Sequence, residues 1–528
     1  MANKKLFNSV RGSNSPVVNT VNKAGGVAYD LGAEGALAQY VVTSCLNQVF
    51  YASADEQVDK ILDLAGKCST EFVAKAAVYG HRIAKMKDTP ALLANVLANR
   101  GPEGLALLER IFPRVISGTK MLRNFVQILR SGKCGRKSFG SKTKRLIQNW
   151  LASQTTEQLF KQSVGNDPSL ADIVKMVHPK PINDEQKAFY GWLIGKEYSF
   201  ANLPFAVQQF EQWKSGVNPN IPDVDFRMLS SHMDKVGEAG WKQLARNGGW
   251  NFLRMNLNNL QKYGCFADDN FVREVANKLR EAELVRKANA FPYQLLTTFQ
   301  NVSGIPTSVK LALQDAMEYA TANVPALNGR TAVCVDTSGS MSSPVTGNRG
   351  AGATTSTSCV DVAGLMASCV VRQNPDATVV PFDTAVHLVD FNPRDSVMTN
   401  AKKFARHGGG TDCSSALRYL NSVNWKGENV IFLSDNESWY VPQRGPTIAY
   451  YGKKTGMVAE WEVLKKRNPK AKLVCIDLAP GSTTQVPDNK DVLNCGGFSD
   501  EVFTVVANFI NNDSSDFSKI INDKISLD

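Results

Sequence analysis

The sequence predicts two units of different fold class: an α-solenoid over residues 1–327 and an α/β domain with a parallel sheet over residues 328–528. Two observations predict this division. Amphipathic helical patterns follow one another from about residue 34 to residue 323 with almost no strand-like alternation, whereas short apolar strands alternate with helices after residue 328. The hydrophobic content of 43% and charged content of 21% are those of an ordinary globular protein, which excludes global disorder.

The helical unit is predicted from apolar side chains that recur at steps of three and four, as in residues 71–86. Thr89-Pro90 is a typical helix start for residues 91–98. Further helices are expected over residues 105–112, 119–130, 141–151, 185–194, 205–213, 240–245, 252–263, 271–288 and 308–322. Many short helices without a strict sequence period favour a solenoid of degenerate helical pairs, with an irregular all-α domain as the alternative. Residues 1–20 are polar and expected to be frayed.

The second unit is predicted from four buried apolar strands. They lie at residues 332–335, 378–382, 429–433 and 472–476, and the helices expected between and after them lie at 362–372, 414–420, 458–467 and 500–510. Apolar strands that alternate with helices predict a doubly wound parallel sheet with right-handed crossovers. Ligands of such sheets bind at the carboxyl ends of the strands.

Composition excludes several classes of protein. No run approaches the ~18 apolar residues of a transmembrane helix, so no membrane association is expected. The first residues lack the apolar core of a signal peptide, so secretion by that route is not expected. Ten scattered cysteines without a CxxC pair fit a reducing cytoplasm, and the absence of HExxH excludes a zincin.

Positive charge is concentrated in one part of the chain. The sequence has 60 Lys and Arg residues against 49 Asp and Glu, a net charge of +11, but residues 1–330 carry +13 and residues 331–528 carry −2. Residues 111–150 contain ten basic residues and no acidic one. A merely solvated face normally mixes both signs, whereas this stretch creates a field that attracts polyanions. Nucleic acid is the favoured ligand, and an acidic protein or lipid surface, or no ligand, are the alternatives.

Helical spacing predicts that part of this charge is displayed in a row. On a helix over residues 119–130, Lys120, Arg123 and Arg130 are expected opposite the apolar side, pointing outward over about 15 Å. The glycine-containing loop and the next helix continue the series with Lys133, Arg136, Lys137, Lys142, Lys144 and Arg145. Cations near a helix amino terminus oppose the helix dipole, which is easier to understand if an anion binds there.

Oxygen-bearing side chains lie in three loops that follow strands of the predicted sheet. The first loop has the pattern Asp336-x-Ser338-x-Ser340, the second contains Thr411 after three glycines, and the third contains Asp435. Carboxylate and hydroxyl oxygens are hard ligands that suit Mg²⁺. The sequence therefore predicts a Mg²⁺ site formed by these five residues. A loop that has kept the residues without binding metal is the alternative.

In their order and spacing, these loops resemble the metal-ion-dependent adhesion site of von Willebrand factor A domains. The five predicted ligands match that site one for one, and we see no departure that would abolish metal binding. The resemblance implies an A-domain fold for residues 328–528. The polar segment 342–358 beside the site is expected to be a flexible insertion.

Over nearly its whole length, the chain resembles the TROVE-domain family, typified by the 60-kDa Ro autoantigen and its bacterial relatives. The motifs that carry the resemblance are NKAGGVAYD (22–30), DIVKMVHPKP (172–181), LRMNLNNL (253–260), DTSGSM (336–341), HGGGTDCSSAL (407–417) and VIFLSDNES (430–438). The resemblance implies a ring of HEAT-like helical repeats whose two ends are joined by the A domain.

The resemblance also implies a function. Members of the family bind small non-coding Y RNAs on a basic outer surface and take single-stranded 3′ ends of misfolded RNAs into a central hole. Bacterial relatives cooperate with exoribonucleases in RNA processing and decay. We therefore expect a cytoplasmic, non-enzymatic RNA-binding protein that forms a monomeric ring. Its expected partners are Y-like RNA, misfolded or structured RNA with a single-stranded 3′ end, and an exoribonuclease such as polynucleotide phosphorylase.

The family's stem-loop-binding region includes the histidine of a His-x-Lys-Pro segment, which corresponds here to His178. Lys175 lies one turn before His178 and Lys180 lies two residues after it. Lys161 matches an upstream family lysine at a different spacing. These residues are therefore expected to join the RNA-binding surface, with a helix-end cap that has no role in RNA binding as the alternative for His178.

Two other classes of function remain open. A metal-dependent nuclease needs several clustered carboxylates, whereas hydroxyls dominate the predicted coordination, which favours ligand capture over hydrolysis. A Cys413–His407 nucleophile pair is conceivable, but nearness in sequence does not place the two side chains in contact. A protein-adhesion module, in which the metal captures a partner's acidic residue, is compatible with RNA binding.

Overall fold

The computed structural model describes most of the chain. The described residues are 16–164, 168–224, 226–229, 232, 236–288, 292–321, 324–348, 357–404, 408–441, 445–446, 454–499, 501–512 and 516–528. His407, residues 1–15 and residues 349–356 of the predicted insertion lie outside them.

The amino-terminal unit is a helical array preceded by two short strands, β1 (Thr20–Val21) and β2 (Val27–Asp30). Its helices are α1 (Gly32–Thr43), α2 (Ala54–Lys67), α3 (Thr70–Arg82), α4 (Asp88–Ala98), α5 (Gly101–Val115), α6 (Thr119–Ser131), α7 (Gly140–Ser153), α8 (Thr156–Lys161), α9 (Leu170–Val177), α10 (Asp184–Ile194), α11 (Phe205–Lys214), α12 (Phe226–Leu229), α13 (Gly237–Asn247), α14 (Trp250–Met255), α15 (Leu257–Lys262), α16 (Asp269–Leu279), α17 (Ala282–Ala288), α18 (Pro292–Asn301) and α19 (Thr307–Thr321).

Local sequence explains where several of these helices begin. Ser53 and Ser169 form capping boxes with Glu56 and Asp172 at the starts of α2 and α9, which satisfies backbone N–H groups that have no partner within the helix. Helices that lie close together in the chain pack against one another: α3 against α4 and α5, α4 against α6, and α6 and α7 against α9. This is the arrangement of stacked helical pairs that the sequence predicts.

Two of the predicted helices are each divided in two. The helix expected over 252–263 is interrupted at Asn256, whose side-chain amide donates to the carbonyl of Phe252 and competes with the helical backbone pattern. The helix expected over 271–288 ends at Leu279 and a new helix begins at Ala282. Apolar spacing persists across both breaks, so periodicity alone does not locate them.

The carboxy-terminal unit is the predicted doubly wound α/β domain. Its strands are β3 (Thr331–Asp336), β4 (Thr378–Phe382), β5 (Asn429–Ser434), β6 (Tyr440–Val441), β7 (Gly445–Pro446), β8 (Lys472–Asp477), β9 (Thr483–Thr484) and β10 (Val492–Gly496). Its helices are α20 (Cys359–Gln373), α21 (Val397–Ala401), α22 (Ser414–Ser422), α23 (Gly456–Arg467), α24 (Glu501–Asn512) and α25 (Phe517–Lys524).

Five strands form the central sheet, in the order β10-β8-β5-β3-β4, and every neighbouring pair is parallel. The edge strand β10 was not predicted from the sequence. Strand order reverses at β3, because β4 lies on one side of it and β5 on the other. The loops after β3 and β5 therefore meet at the topological switch point, where doubly wound sheets bind their ligands.

The two faces of this sheet belong to different cores. Val333, Val335 and Ile431 point into a hydrophobic core that is continuous with the helical array. Cys334 and Phe432 point to the opposite face, which is covered by α22 and α23. Alternation along each strand therefore directs one face of the sheet toward the helices of the array and the other toward α22 and α23.

Strands β1 and β2 correct the expectation that the amino-terminal unit is purely helical. Strand β2 pairs antiparallel with β9 of the α/β domain, with Tyr29 opposite Thr484. Tyr29 is buried in the outer core of that domain. The partner strand lies about 450 residues later, so no local pattern reveals the pairing.

Both ends of the helical array contact the α/β domain, and the chain thereby closes into a ring. At the first seam, α1 packs against α25 and β10, and α3 packs against α25. At the second seam, α18 and α19 pack against α20 and α21. Among the described residues, no helix is both long and apolar enough to span a bilayer.

Candidate metal centre and nucleic-acid interface

The loop after β3 brings one carboxylate and two hydroxyls together. Asp336 is the last residue of β3, and its Oδ1 accepts a hydrogen bond of 2.9 Å from the backbone N–H of Ser338. A 3₁₀ turn at Gly339–Ser342 then folds the chain back, which brings the hydroxyl oxygens of Ser338 and Ser340 to 3.3 Å from each other. The Asp-x-Ser-x-Ser spacing thus gathers its three side chains as predicted.

Backbone hydrogen bonds connect the three loops to one another. The N–H of Gly339 donates to the carbonyl of Gly409 at 3.1 Å, and the N–H of Trp439 donates to the carbonyl of Thr411 at 3.0 Å. Ser434, at the end of β5, donates from its hydroxyl to Asp336 Oδ2 at 2.5 Å. All five predicted metal ligands are buried at this edge of the sheet.

The electrostatics of the edge fit a bound cation. Burial, together with repulsion from the carboxylate of Asp435, raises the pKa of Asp336 to about 7. Burial also raises the pKa of Asp435, against a hydrogen bond from Ser340 that opposes the shift. Two buried carboxylates that repel each other, with hydroxyl oxygens around them, are a donor set that a hard divalent cation such as Mg²⁺ would stabilise.

Asp412, the carboxylate that follows the predicted ligand Thr411, is engaged by other partners. Asp412 accepts hydrogen bonds from the backbone N–H of Ser414 at 2.9 Å and from its hydroxyl at 2.5 Å, and it pairs with Arg418 at 3.3 Å. Within the described part of the chain, no group of three or more His, Cys, Asp or Glu side chains is arranged to hold a metal. Because Asp412 is engaged elsewhere, the predicted donor set at the sheet edge consists of two carboxylates and three hydroxyls.

The conceivable cysteine nucleophile is also disfavoured. Cys413 is fully buried, and burial raises the pKa of its thiol well above the ordinary value, so it stays protonated at neutral pH. Its conceivable partner, His407, lies outside the described residues.

The basic stretch forms an exposed surface on α6, the following loop and α7. We call the exposed cations of this stretch the basic surface; they are Arg130, Lys133, Arg136, Lys137, Lys142 and Arg145, and Lys144 is half-buried beside them. Their burial is low because the apolar side of α6, including Phe125, packs inward against α5. Most of the predicted RNA-binding side chains of this segment are therefore accessible to a ligand.

The prediction that Arg123 points outward is wrong. Its side chain is buried, and the guanidinium Nη1 donates to the carbonyls of Val164 at 3.0 Å and Gln162 at 3.4 Å. The chain between α8 and α9 covers this part of α6, so Arg123 is a structural residue that satisfies backbone carbonyls. Helical periodicity could not reveal the covering segment, which lies about 40 residues away.

Lys120 is exposed as predicted, but it lies apart from the basic surface. It lines a cavity of about 560 Å³ between the first helices of the array and α14, α15 and α18. Lys85, Lys87 and Arg254 line the same cavity, with Met255 and Tyr293. None of these three cations was predicted as a site residue, although Lys85 and Lys87 belong to the short basic run HRIAKMK (81–87).

His178 sits at the carboxyl end of α9 in the left-handed backbone conformation, with φ 50°. Its ring is exposed, and Gln148 on α7 donates to the carbonyls of Val177 at 2.7 Å and His178 at 3.3 Å. Because Arg145 lies one turn before Gln148 on α7, this contact places the end of α9 beside the basic surface. His178 therefore ends the helix, as the alternative interpretation held, and also presents its ring to solvent.

The remaining predicted RNA-binding residues differ in their surroundings. Lys175 and Lys180 are exposed on either side of His178. Lys161 pairs with Glu157 at 2.9 Å, and Lys133 of the basic surface pairs with Asp55 at 3.1 Å. Both ion pairs are solvent-exposed and therefore contribute little to the stability of the fold. An RNA phosphate could replace the carboxylate in either pair.

A family model of known proteins matches part of each unit. The Ro60 vWA domain model matches residues 330–510, and the TROVE domain model matches residues 114–351. The RNA-binding protein RO60 of Deinococcus radiodurans is 23% identical over 549 aligned positions, covering 94% of this chain and 97% of that protein. The crystal structure of the Deinococcus radiodurans RO (RSR) protein has the same fold, with a TM-score of 0.63 at 20% identity, covering 92% of this chain and all of that one. With a helical ring, an α/β domain that closes it and both domain models matched, the chain belongs to the TROVE-domain family.

Proposed function

We propose that this protein binds structured RNA on the basic surface and single-stranded RNA ends in the central cavity. The observation that carries the proposal is the basic surface itself: six exposed cations without an acidic residue anywhere between positions 111 and 150, with the exposed His178, Lys175 and Lys180 beside them. The similarity to a protein named as RNA-binding supports it.

The ligand of the basic surface is proposed to be a small non-coding, Y-like RNA. Cations on a rigid helix pair neutralise phosphates regardless of base identity, so they recognise the shape of an A-form duplex rather than its sequence. The cavity, with Lys85, Lys87 and Lys120 for phosphates and Tyr293 for base stacking, suits the single-stranded 3′ end of a misfolded or structured RNA.

The cellular role that follows is quality control, processing or decay of non-coding RNA in the cytoplasm, as a monomeric ring that works with an exoribonuclease such as polynucleotide phosphorylase. The ten cysteines are scattered along the chain without a CxxC pair, which supports a reducing compartment. The protein itself is proposed to be non-enzymatic, because hydroxyls outnumber carboxylates among the five predicted ligands, which favours cation capture over hydroxide generation.

A charge-reversal series tests the basic surface. Lys137, Lys142 and Arg145 changed together to Glu should weaken binding of a Y-like hairpin RNA at least tenfold and reduce the slope of log affinity against log salt by about 2. The matched control reverses Lys426, Lys466 and Lys470, which are equally exposed on the α/β domain and carry the same total charge. Equal losses in the two triple variants would show a general charge effect and contradict a specific surface.

We further propose that Asp336, Ser338, Ser340, Thr411 and Asp435 bind Mg²⁺. The mutual repulsion of the two buried carboxylates supports this assignment. Calorimetric titration of EDTA-treated protein should show Mg²⁺ binding that Asp336→Ala abolishes, with hairpin RNA affinity unchanged. Loss of a captured protein partner in that variant, with RNA binding intact, would favour the second candidate, a metal-dependent adhesion scaffold. RNA cleavage by nuclease-free protein with Mg²⁺ would instead revive a metal-dependent ribonuclease.

A further inference from the structure

The loop between α1 and α2, residues 44–53, lies across the metal edge of the α/β domain. Asn47 donates from Nδ2 to the carbonyl of Thr346 at 2.8 Å, and the N–H of Asn348 donates to the carbonyl of Gln48 at 2.7 Å. Thr346 and Asn348 follow the Asp-x-Ser-x-Ser loop closely in the chain. The first helical pair therefore docks beside the predicted metal ligands.

Tyr51 from this loop reaches the ligands themselves. Its side chain lines a small cavity together with Ser340 and Asp435. Lys23 and Glu437 line the same cavity, so it lies between the helical unit and the loops that follow β3 and β5. A neutral phenol oxygen can donate to a carboxylate or offer a lone pair to a cation.

A second segment of the helical unit covers the neighbouring loop. The backbone N–H of Lys23 donates to Glu437 Oε2 at 2.8 Å, and its ammonium donates to the carbonyl of Pro480 at 2.6 Å. Asn22 donates from Nδ2 to the carbonyl of Ser438 at 2.8 Å. Residues that precede α2 thus contact the metal edge from two directions.

We propose that Tyr51 completes the metal site from the helical array, so that a divalent cation bound there fastens the first seam of the ring. This inference rests on the proposed Mg²⁺ site. The five predicted ligands leave room for about one further oxygen in an octahedral site, and Tyr51 occupies the space next to Ser340 and Asp435. A partner's carboxylate could approach only after the loop 44–53 moves away.

The connectivity of the ring gives this fastening a consequence. At the second seam, α19 continues through a short connection into β3, so the array and the α/β domain are covalently joined there. At the first seam they are joined by non-covalent contacts, so the ring can open only at that seam. The cation then controls opening of the ring, and RNA that must be threaded or released would depend on it.

Hydrogen exchange measured by mass spectrometry on the full-length protein tests the proposal. In EDTA-treated wild type, MgCl₂ should slow exchange of residues 44–53 at least about tenfold, because closed-state stabilisation appears directly in the exchange rate. Tyr51→Phe keeps the ring and removes the oxygen, and it should lose most of this protection and weaken Mg²⁺ binding several-fold. Tyr198→Phe, which alters an exposed tyrosine, is the matched control.

The outcomes separate this inference from the metal site on which it rests. In one outcome, wild type binds Mg²⁺ and Asp336→Ala abolishes the binding, but Mg²⁺ does not slow exchange of residues 44–53. This result would contradict the proposal that the cation fastens the seam and would leave the metal site supported. Full protection in Tyr51→Phe would show that the hydroxyl has no part and would likewise overturn the proposal. If wild type binds no Mg²⁺, the proposed site and the fastening both fail.

Discussion

The two seams that close the ring are built from different kinds of contact. Besides the packing of α1 and α3 on α25, the first seam has strand pairing and loop hydrogen bonds: β2 pairs with β9, the N–H of Leu31 donates to the carbonyl of Ser482, and Asn22 and Lys23 bind loop carbonyls and Glu437. The second seam joins side chains of packed helices, with Arg372 paired to Glu318 at 2.6 Å and Lys402 over the ring of Phe299.

This difference follows from connectivity. At the second seam the chain connection keeps α19 and β3 at a high effective concentration, so weak side-chain contacts suffice. At the first seam the contacting segments are separated by more than 400 residues, and many cooperative hydrogen bonds are needed to hold them. We therefore expect substitutions at the first seam to detach β2 and its neighbouring residues from the α/β domain. Substitutions at the second seam should only weaken the packing between the helices.

The largest effect is expected for Tyr29→Ala at the first seam. Tyr29 is 3% exposed in the outer core of the α/β domain, and truncation of a buried aromatic side chain costs about 3–5 kcal/mol. Amide exchange of β2 should therefore accelerate by about two orders of magnitude or more. Tyr29→Phe, which loses only the hydrogen bond to the carbonyl of Pro16 at 3.0 Å, is the control and should change exchange far less. Equal behaviour of the two variants would contradict insertion of this ring.

A smaller effect at the same seam is expected for Gly26→Ala. A Cβ at this position would lie 2.1 Å from the carbonyl oxygen of Ser438 and 2.9 Å from the Cα of Trp439, both backbone atoms that cannot rotate away. Overpacking of this kind costs about 1–3 kcal/mol and should raise protease sensitivity of residues 16–31. Gly66→Ala in α2 meets nothing within 4 Å and should be neutral or slightly stabilising. Unchanged proteolysis of Gly26→Ala would show that the two backbones are not in close contact.

The smallest effect is expected at the second seam, for Glu318→Ala. The carboxylate accepts from the N–H of Val397 at 2.8 Å and pairs with Arg372, but both side chains are about one-third exposed, so solvent screens the pair. The loss should be about 1 kcal/mol, measured as a small decrease in the thermal unfolding temperature, with exchange at β2 unchanged. Accelerated exchange at β2 in this variant would show that the seams are coupled and would break the distinction between them.

Much of the fold could be predicted because its elements are local. Apolar runs of four to five residues located β3, β4, β5 and β8, and the spacing of Asp336, Ser338 and Ser340 indicated that their side chains would gather at the edge of the sheet. Helix spacing located α6, α7, α10 and α11 to within two residues at each end. On α6, Lys120 and Arg130 are exposed, as their position opposite the apolar residues predicted.

What could not be predicted depends on segments far apart in the chain. Arg123 has the periodicity of an exposed residue, and only the covering chain between α8 and α9 makes it structural. Lys120 belongs to the same helical row as Arg130, yet it lines a cavity together with Lys85, Lys87 and Arg254. Tyr51 shows no motif at all, and its relation to Ser340 exists only because the ring closes.

The sequence by itself determined the two fold classes, the order of the loops that carry the predicted metal ligands, and the separation of charge into a basic array and a slightly acidic α/β domain. These properties are set by periodicity and composition within a few tens of residues. Tertiary structure alone decided which cations reach solvent, which line the cavity and which residues of the array cover the metal edge. The physical reason is that burial and like-charge repulsion depend on what packs against a group, and at both seams of this ring the packing partner comes from a distant part of the chain.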